Sequence, residues 1–186
     1  AIDKKILLIN AESKSEVNEI DRIAKLKKKK VQIGIRLNPN TDAKTLTQIS
    51  TGKKENKFGV NDKTFFEIVN YCKSSSNIEL KCLSVHIGSQ ILDYKPYEKM
   101  LKVIDKIIKK INFKFEFIDL GGGMGISYNN DNNKLDYKKY NFAIKKFLKK
   151  HKSKIIFEPG RSIIANTGSL ISKIIYIKKN GKKNFV

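Results

Sequence analysis

The sequence predicts an α/β protein in which short strands alternate with amphipathic helices around a parallel sheet. The apolar runs are short and nearly continuous, which is typical of strands buried on both faces. Helical patterns separate these runs in regular alternation, as in β/α units. Glycine and polar residues gather after the predicted strands and not before them. Because parallel strands end at one shared edge, these residues are expected to meet there.

Length and composition fit one domain with a substantial core. The chain has 186 residues, of which 40% are hydrophobic, and no apolar run approaches the roughly 20 residues of a membrane span. It begins at Ala1 and stops at Val186 inside an apparent strand, so we expect a fragment of a longer protein. Cys72 and Cys82 are isolated from each other, which predicts small buried side chains in a reducing compartment, the cytoplasm, rather than a disulfide framework.

The formal net charge of +21 suggests nucleic-acid binding as one hypothesis. Arginine, the usual reader of bases and phosphates, occurs only at Arg22, Arg36 and Arg161. The lysines gather instead on predicted helix faces and helix ends, as in residues 25–30 and 145–154. A basic nucleic-acid-binding protein therefore stays as a distant alternative, and we expect neither nucleic acid nor a membrane as a partner.

The first third of the chain contains two predicted strands and one helix. Residues 5–10 (KILLIN) and 31–37 (VQIGIRL) are the strands. Ser13 and Glu16 have the spacing of a capping box, which predicts a helix between these strands. The irregular stretch 38–61 is longer than most loops, so it is either functional or a surface insertion.

The same alternation continues to residue 158. Asp62 is predicted to cap a helix that ends near Lys73. Strand, helix, strand, helix and strand then follow in turn over residues 78–87, 97–111, 115–120, 137–150 and 155–158. A β/α barrel and a doubly wound open sheet both place a ligand at the ends of such strands, and spacing alone does not distinguish them.

The strongest local signal is the glycine triplet in residues 115–128, FEFIDLGGGMGISY. Gly121, Gly122 and Gly123 directly follow a predicted strand, and without Cβ atoms they expose backbone N–H groups that can hold a phosphate. A tight turn that needs positive φ is the alternative explanation. A second turn of this kind, residues 157–161 (FEPGR), follows the next strand and favours an anion site.

Two titratable side chains lie where they could face a ligand. His86 stands at a strand end before Ser89, although a buried core histidine would show the same pattern. Glu158 could form a structural ion pair with Arg161 or hold a protonated ring nitrogen of a ligand. The other histidine, His151, closes a lysine-rich helix and is expected to be solvated.

Four motifs together resemble those of the diaminopimelate decarboxylases. They are residues 38–60 (NPNTDAKTLTQISTGKKENKFGV), 86–90 (HIGSQ), 119–128 (DLGGGMGISY) and 158–168 (EPGRSIIANTG), in this order. The resemblance implies an alanine-racemase-like TIM (β/α) barrel that binds pyridoxal 5'-phosphate, followed by a C-terminal β-domain. It also implies a homodimeric lyase of lysine biosynthesis that converts meso-2,6-diaminopimelate to L-lysine and CO2. An ornithine- or arginine-type decarboxylase of the same fold is the alternative.

The resemblance implies a role for each motif residue. His86 would stack on the cofactor ring and Glu158 would pair with the pyridine nitrogen, which makes these two the catalytic candidates. Arg161 would also contact the substrate, and no residue is implied as a metal ligand. The implied cofactor-binding set is His86, Ser89, Gly121, Gly122, Gly123, Glu158, Pro159, Gly160 and Arg161, with the phosphate at Gly123, Gly160 and Arg161.

One departure from the family pattern concerns the lysine that forms the Schiff base with the cofactor. In the family it lies on the first barrel strand, and this chain has no equivalent segment. Lys5, Lys81 and Lys154 stand at strand starts, on the wrong face of a barrel. We therefore expect an inactive fragment, with barrel strands 4–8 in residues 1–167. Residues 168–186 would begin the β-domain, with its first strand over residues 168–178.

Overall fold

The computed structural model describes residues 1–4, 6–43, 51–52, 57–128 and 134–186. The strands in these ranges are β1 (Ile9–Ala11), β2 (Val31–Arg36), β3 (Ile78–Ser84), β4 (Phe117–Asp119), β5 (Lys154–Ile156), β6 (Lys178–Asn180) and β7 (Lys183–Phe185). The helices are α1 (Lys14–Leu26), α2 (Asp62–Ser74), α3 (Lys95–Ile111), α4 (Tyr137–His151) and α5 (Arg161–Ile164). Much of the predicted long loop (44–50 and 53–56), and Lys5, lie outside the described residues.

The first five strands form one parallel sheet in the order β1-β2-β3-β4-β5. Crossovers between parallel strands are right-handed, so strands that advance in a single direction keep their helices on one face. A doubly wound sheet instead reverses its strand order at the ligand site. No reversal occurs among the described strands. The order is therefore the one expected of a β/α barrel, and all five carboxyl ends lie along one edge.

Local sequence signals explain where the helices begin. Ser13 caps α1, since its Oγ accepts a hydrogen bond from the N–H of Glu16 at 3.1 Å. The cap of α2 is Asn61 and not the predicted Asp62: Asn61 Oδ1 accepts from Thr64 N at 3.0 Å. Asp62 is the first helical residue, where its negative charge interacts favourably with the positive end of the helix dipole.

Strand β1 is shorter and begins later than predicted. The apolar run suggests a buried strand from Lys5, but Ile6 and Leu7 are 51% and 54% exposed. Pairing with β2 starts at Ile9, opposite Ile33. The residues before it make local contacts instead, because Lys4 N bonds to Ala1 O at 2.9 Å and Ile6 N bonds to Lys4 O at 2.6 Å. Continuous hydrophobicity predicts a strand but does not fix its first residue.

The core lies between the sheet and the helices. Tyr97, Met100 and Ile104 of α3 are fully buried, as are Phe65 and Ile68 of α2. The sheet side of the core is also fully buried and contributes Ile33, Ile35, Leu83 and Ile118. Burying each large apolar side chain stabilises the fold by roughly 1.5–3 kcal/mol, and this term holds the helices on the sheet. Cys72 and Cys82 are free and buried, as predicted.

The prediction that His151 is solvated is wrong. Its side chain is 9% exposed, and its Nε2 lies 2.7 Å from Oδ1 of Asp105. The ring also packs on Phe147, with centroids 4.5 Å apart. Asp105 in α3 binds Lys109 and Lys150 as well, at 3.0 and 3.3 Å. The lysine-rich sequence around His151 gives no sign of its contact with Asp105, because Asp105 lies 46 residues away in the chain.

Replacing Asp105 by asparagine should destabilise the full-length protein at neutral pH by about 1–2 kcal/mol. Burial of Asp105 acts to raise its pKa, but hydrogen bonds from Lys109, His151 and Lys150 outweigh burial and lower the pKa from 3.8 to about 2. A carboxyl group whose pKa falls on folding stabilises the protein above pH 4 and loses this contribution as the pH falls toward 2. Chemical unfolding of the variant at pH 7 and pH 3 measures the difference.

The matched control for this prediction is Glu67→Gln, which removes one exposed ion pair with Lys14 at 3.5 Å. Such a pair contributes about 0–1 kcal/mol. If Asp105→Asn changes the free energy of unfolding no more than this control at pH 7, the contacts of Asp105 do not stabilise the packing of α3 against α4.

The last residues of the chain do not form the strand predicted over residues 168–178. Residues 168–177 contain no strand, and the two strands that follow, β6 and β7, pair only with each other in antiparallel. Leu170 and Ile171 are 96% and 92% exposed. A strand needs a ladder partner, and this segment has none among the described residues. None of the helices in the described ranges combines the length and apolarity needed to cross a bilayer.

Candidate functional site

The carboxyl ends of three strands converge on one buried carboxylate, Asp119 of β4, which is 1% exposed. Its Oδ2 accepts hydrogen bonds from Asn10 Nδ2 of β1 at 3.0 Å and from Ser84 Oγ of β3 at 3.1 Å. Its Oδ1 accepts the N–H of Gly121 at 2.9 Å. The predicted gathering of polar residues at the sheet edge is thus organised around a side chain that the sequence analysis did not single out.

The two glycine-bearing turns are in contact. The N–H of Glu158 donates to Gly121 O at 2.9 Å. A Cβ on Gly122 would lie 2.1 Å from Glu158 O, and one on Gly123 would lie 2.1 Å from Gly88 O. Gly121 and Gly123 also have positive φ values, +64° and +89°. Close backbone packing and left-handed conformations therefore both require glycine at this turn.

The N–H groups of the triplet are not equivalent. Gly121 N–H is used by Asp119, and Gly122 N–H donates to Nδ1 of His86 at 3.2 Å. For Gly123 N–H no acceptor exists among the described residues, and Gly123 is half-buried, whereas Gly121 and Gly122 are buried. Of the three predicted phosphate donors, Gly123 is the one whose N–H remains available to a ligand.

His86 braces the glycine turn and is neutral. Burial lowers the pKa of its imidazole, and the charge of Arg36 acts in the same direction, while Asp119 and Glu12 oppose them. Since Nδ1 accepts the N–H of Gly122, the proton of the neutral ring resides on Nε2. The ring is therefore held in one tautomer against the turn, in a position where its free edge can meet a ligand.

Glu158 lies on the open side of the same edge and is exposed. Partial burial raises the pKa of its carboxyl group, and the nearby charge of Asp119 raises it further, while Arg36 acts in the opposite direction. No ion pair joins Glu158 to Arg161. The guanidinium of Arg161 instead donates to Ser89 Oγ at 3.3 Å and to the hydroxyl of Tyr128. The interpretation of Glu158 as a structural partner of Arg161 is therefore wrong.

Other functional candidates escaped the sequence analysis. Arg36, at the end of β2, is ion-paired with Glu12 and lies 5.0 Å from the centre of the Phe58 ring. Tyr97 is fully buried in α3 and donates its hydroxyl proton to Gly122 O at 3.1 Å. Arg36 follows an apolar run directly, a signal that could have identified it. Tyr97 sits in an ordinary helical stripe and gives no such signal.

The site fits an anionic group beside a flat ring. A Cβ on Gly160 would meet no atom within 4 Å, so a ligand can approach the backbone of the second turn. Arg161 adds a cation near Ser89, and Gly123 adds a free N–H. His86 and Glu158 stand on the same edge. No group of three or more histidine, cysteine, aspartate or glutamate side chains suited to a metal ion occurs in the described ranges.

Comparison with known proteins confirms the resemblance carried by the four motifs. Diaminopimelate decarboxylase of Helicobacter pylori is 42% identical over 191 residues, which cover 100% of this chain and 46% of that protein. The enzyme of Aquifex aeolicus (strain VF5) is 37% identical over 190 residues, covering 100% of this chain and 45% of that protein. The chain thus spans slightly less than half the length of these relatives.

The fold agrees with solved structures. The crystal structure of the Helicobacter pylori diaminopimelate decarboxylase complexed with L-lysine superposes with a TM-score of 0.85 at 41% identity, over 96% of this chain and 45% of that one. The family model of the pyridoxal-dependent decarboxylase pyridoxal-binding domain matches residues 1–165. The cofactor implied by the family is pyridoxal phosphate. Because this match covers most of the 186 residues, the chain belongs to the pyridoxal-dependent decarboxylases, within their pyridoxal-binding domain.

Proposed function

We propose that the chain is the larger part of the cofactor-binding barrel of a diaminopimelate decarboxylase, which converts meso-2,6-diaminopimelate to L-lysine and CO2. The observation that carries the proposal is the convergence of His86, Gly123 and Glu158 on one sheet edge. Relatives that are 37% and 42% identical across the whole chain bear this enzyme's name.

We extend the proposal to the architecture of the chain. Residues 1–167 would supply strands 4–8 of an alanine-racemase-like barrel, which the sequential order of β1 to β5 supports. Residues 168–186 would begin the C-terminal β-domain, and the antiparallel pairing of β6 with β7 fits a change of architecture there. The complete enzyme would be a cytoplasmic homodimer, as the family resemblance implies.

Each site residue would have a distinct task. Pyridoxal phosphate, when bound, supplies a ring that accepts the electrons left behind when CO2 departs. The N–H of Gly123, the backbone of the Pro159–Gly160 turn and Arg161 would hold its phosphate, with Ser89 positioning Arg161. The neutral ring of His86 would lie against the face of the cofactor ring.

Glu158 would keep a proton on the pyridine nitrogen. A carboxylate beside that nitrogen favours the charged, protonated form of the ring because opposite charges attract. Burial and the charge of Asp119 raise the pKa of the Glu158 carboxyl group, and a protonated nitrogen beside it would oppose both effects and favour the carboxylate. Arg161, whose guanidinium donates to Ser89 and to Tyr128, would also contact a carboxylate of the substrate.

The direct test is CO2 release by the full-length protein with pyridoxal phosphate. We expect kcat/KM for meso-2,6-diaminopimelate to exceed the values for L-ornithine and L-arginine by a factor of at least about 10³. A site that hydrogen-bonds a polar group of its substrate rejects analogues without that group by such factors. Preference for ornithine or arginine would favour the alternative decarboxylase of the same fold. Failure to bind pyridoxal phosphate at all would contradict the family role.

A polypeptide of residues 1–186 alone should show no decarboxylase activity and form no specific covalent bond to the cofactor. Lys154 begins β5, whereas Lys81 lies in the middle of β3 and not at its start as predicted. Glu116 engages both, at 3.3 and 3.0 Å, and Glu79 also engages Lys81. Incubation with pyridoxal phosphate, borohydride reduction and peptide mapping check this. The full-length protein serves as the positive control, and a stoichiometric adduct on one lysine of the 186 residues would contradict the prediction.

A further inference from the structure

Asp119 is a buried carboxylate without an ion pair among the described residues. It is 1% exposed, and its side-chain hydrogen bonds within the described residues come from neutral donors: Asn10, Ser84 and the backbone of Gly121. Burying an uncompensated charge costs several kcal/mol. A carboxylate is tolerated here because three donors converge on it, and this arrangement serves the turn that follows.

We propose that Asp119 is a positioning residue for the phosphate site: it holds the Gly121–Gly123 turn in register with the ends of β1 and β3. The proposal rests on the function proposed above and deepens it. Asp119 does not reach the phosphate itself. It acts through Gly121, which is two residues before the free N–H of Gly123.

The geometry links one carboxylate oxygen to the scaffold and the other to the turn. Oδ2 is fixed by Asn10 at 3.0 Å and Ser84 at 3.1 Å, residues on two different strands. Oδ1 holds Gly121 N at 2.9 Å, and the φ of +64° at Gly121 turns the chain toward the site. The short side chain of Asp119 thus fixes the position of the glycine turn relative to the sheet.

Asn10 is itself fixed in one orientation. A Cβ on Gly34 would lie 1.9 Å from Asn10 Oδ1, so the amide oxygen packs directly on this glycine of β2. The opposite side of the amide, Nδ2, is therefore presented to Asp119. Because both Asn10 and Gly121 donate, the residue between them must accept on both sides. Aspartate meets this requirement and asparagine does not.

The requirement makes a polarity-swap experiment possible in the full-length protein. In Asp119→Asn, the new side chain has only one acceptor oxygen for its two neighbouring donors, Asn10 Nδ2 and Gly121 N. Its NH2 group must then face one of these donors, which should disorder the turn. In Asn10→Asp, two carboxylates face each other. In the double variant Asn10→Asp/Asp119→Asn, the amide of residue 119 donates to Asp at position 10 and still accepts from Gly121. Overall charge is the same in the double variant as in the wild type.

The readout is equilibrium affinity for pyridoxal 5'-phosphate and for pyridoxal, which lacks the phosphate, measured by absorbance titration. We expect Asp119→Asn and Asn10→Asp each to lower the affinity for pyridoxal 5'-phosphate at least about tenfold. This is the size of one lost charge-assisted hydrogen bond. Affinity for pyridoxal should change less than about threefold. The double variant should recover to within about threefold of the wild type.

Three results would overturn the proposal: unchanged affinity of Asp119→Asn for pyridoxal 5'-phosphate, equal losses for the two compounds, or no recovery in the double variant. Thermal unfolding of the cofactor-free proteins identifies a variant that fails to fold. If Asp119→Asn is one, the phosphate-selective loss in Asn10→Asp and its recovery in the double variant decide instead. A wild-type protein that binds neither compound contradicts the proposed function instead.

Discussion

Replacing Glu158 by glutamine in the complete enzyme is expected to lower turnover by about 10²-fold or more, which corresponds to about 2.7 kcal/mol of transition-state stabilisation. Glutamine keeps the size of the side chain and can still form a hydrogen bond, but it removes the charge. That charge would favour the protonated form of the pyridine nitrogen, and a protonated ring would better accept the electron pair left on the substrate when CO2 departs. The loss should therefore appear in kcat.

Cofactor affinity should change far less than turnover in this variant, because an interaction made mainly in the transition state affects the rate and not the resting complex. Steady-state kinetics and cofactor titration together separate the two effects. Glu79→Gln is the matched control, since Glu79 pairs with Lys81 at 3.0 Å, at the start of β3 and away from the site. Near-normal turnover of Glu158→Gln with cofactor bound would show that Glu158 does not act on the ring.

The fold was predictable to the extent that its signals are local. Helical stripes, a capping residue such as Ser13 and short apolar runs each depend on neighbours within a few residues, so the alternation of elements and the five parallel strands follow from them. Strand limits depend instead on the partner strand. For this reason β1 starts at Ile9 rather than Lys5, and β4 is confined to three residues.

The sequence indicates where the candidate residues lie, but it does not show which of them are hydrogen-bonded to each other. The glycine turns, His86 and Glu158 stand at strand ends, where any parallel sheet brings them together. The partner of Asn10 is 109 residues away, and that of Ser84 is 35 residues away. Nothing in a single sequence connects residues over such distances. The central role of Asp119 therefore emerges only from the three-dimensional arrangement.

Substituting alanine at Gly122 should weaken pyridoxal phosphate binding by about 10²-fold or more in the full-length protein, which is about the loss of one or two charge-assisted hydrogen bonds to the phosphate. The new Cβ would lie 2.1 Å from Glu158 O, a backbone atom of the neighbouring turn. Backbone cannot rotate away as a side chain does, so the two turns must separate. Separation strains the bonds from Gly122 N–H to His86 and from Tyr97 to Gly122 O.

Gly168→Ala is the control for this substitution. A Cβ at Gly168 meets no atom within 4 Å, and its φ lies outside the left-handed range, so the same chemical change carries no steric cost there. We expect Gly168→Ala to bind cofactor as the wild type does. Thermal unfolding without cofactor should show Gly122→Ala destabilised by roughly 1–3 kcal/mol, the usual cost of overpacking. Equal cofactor affinity in the two variants would mean that the turns can separate without disturbing the phosphate site, and that His86, Gly123 and Glu158 do not bind one ligand together.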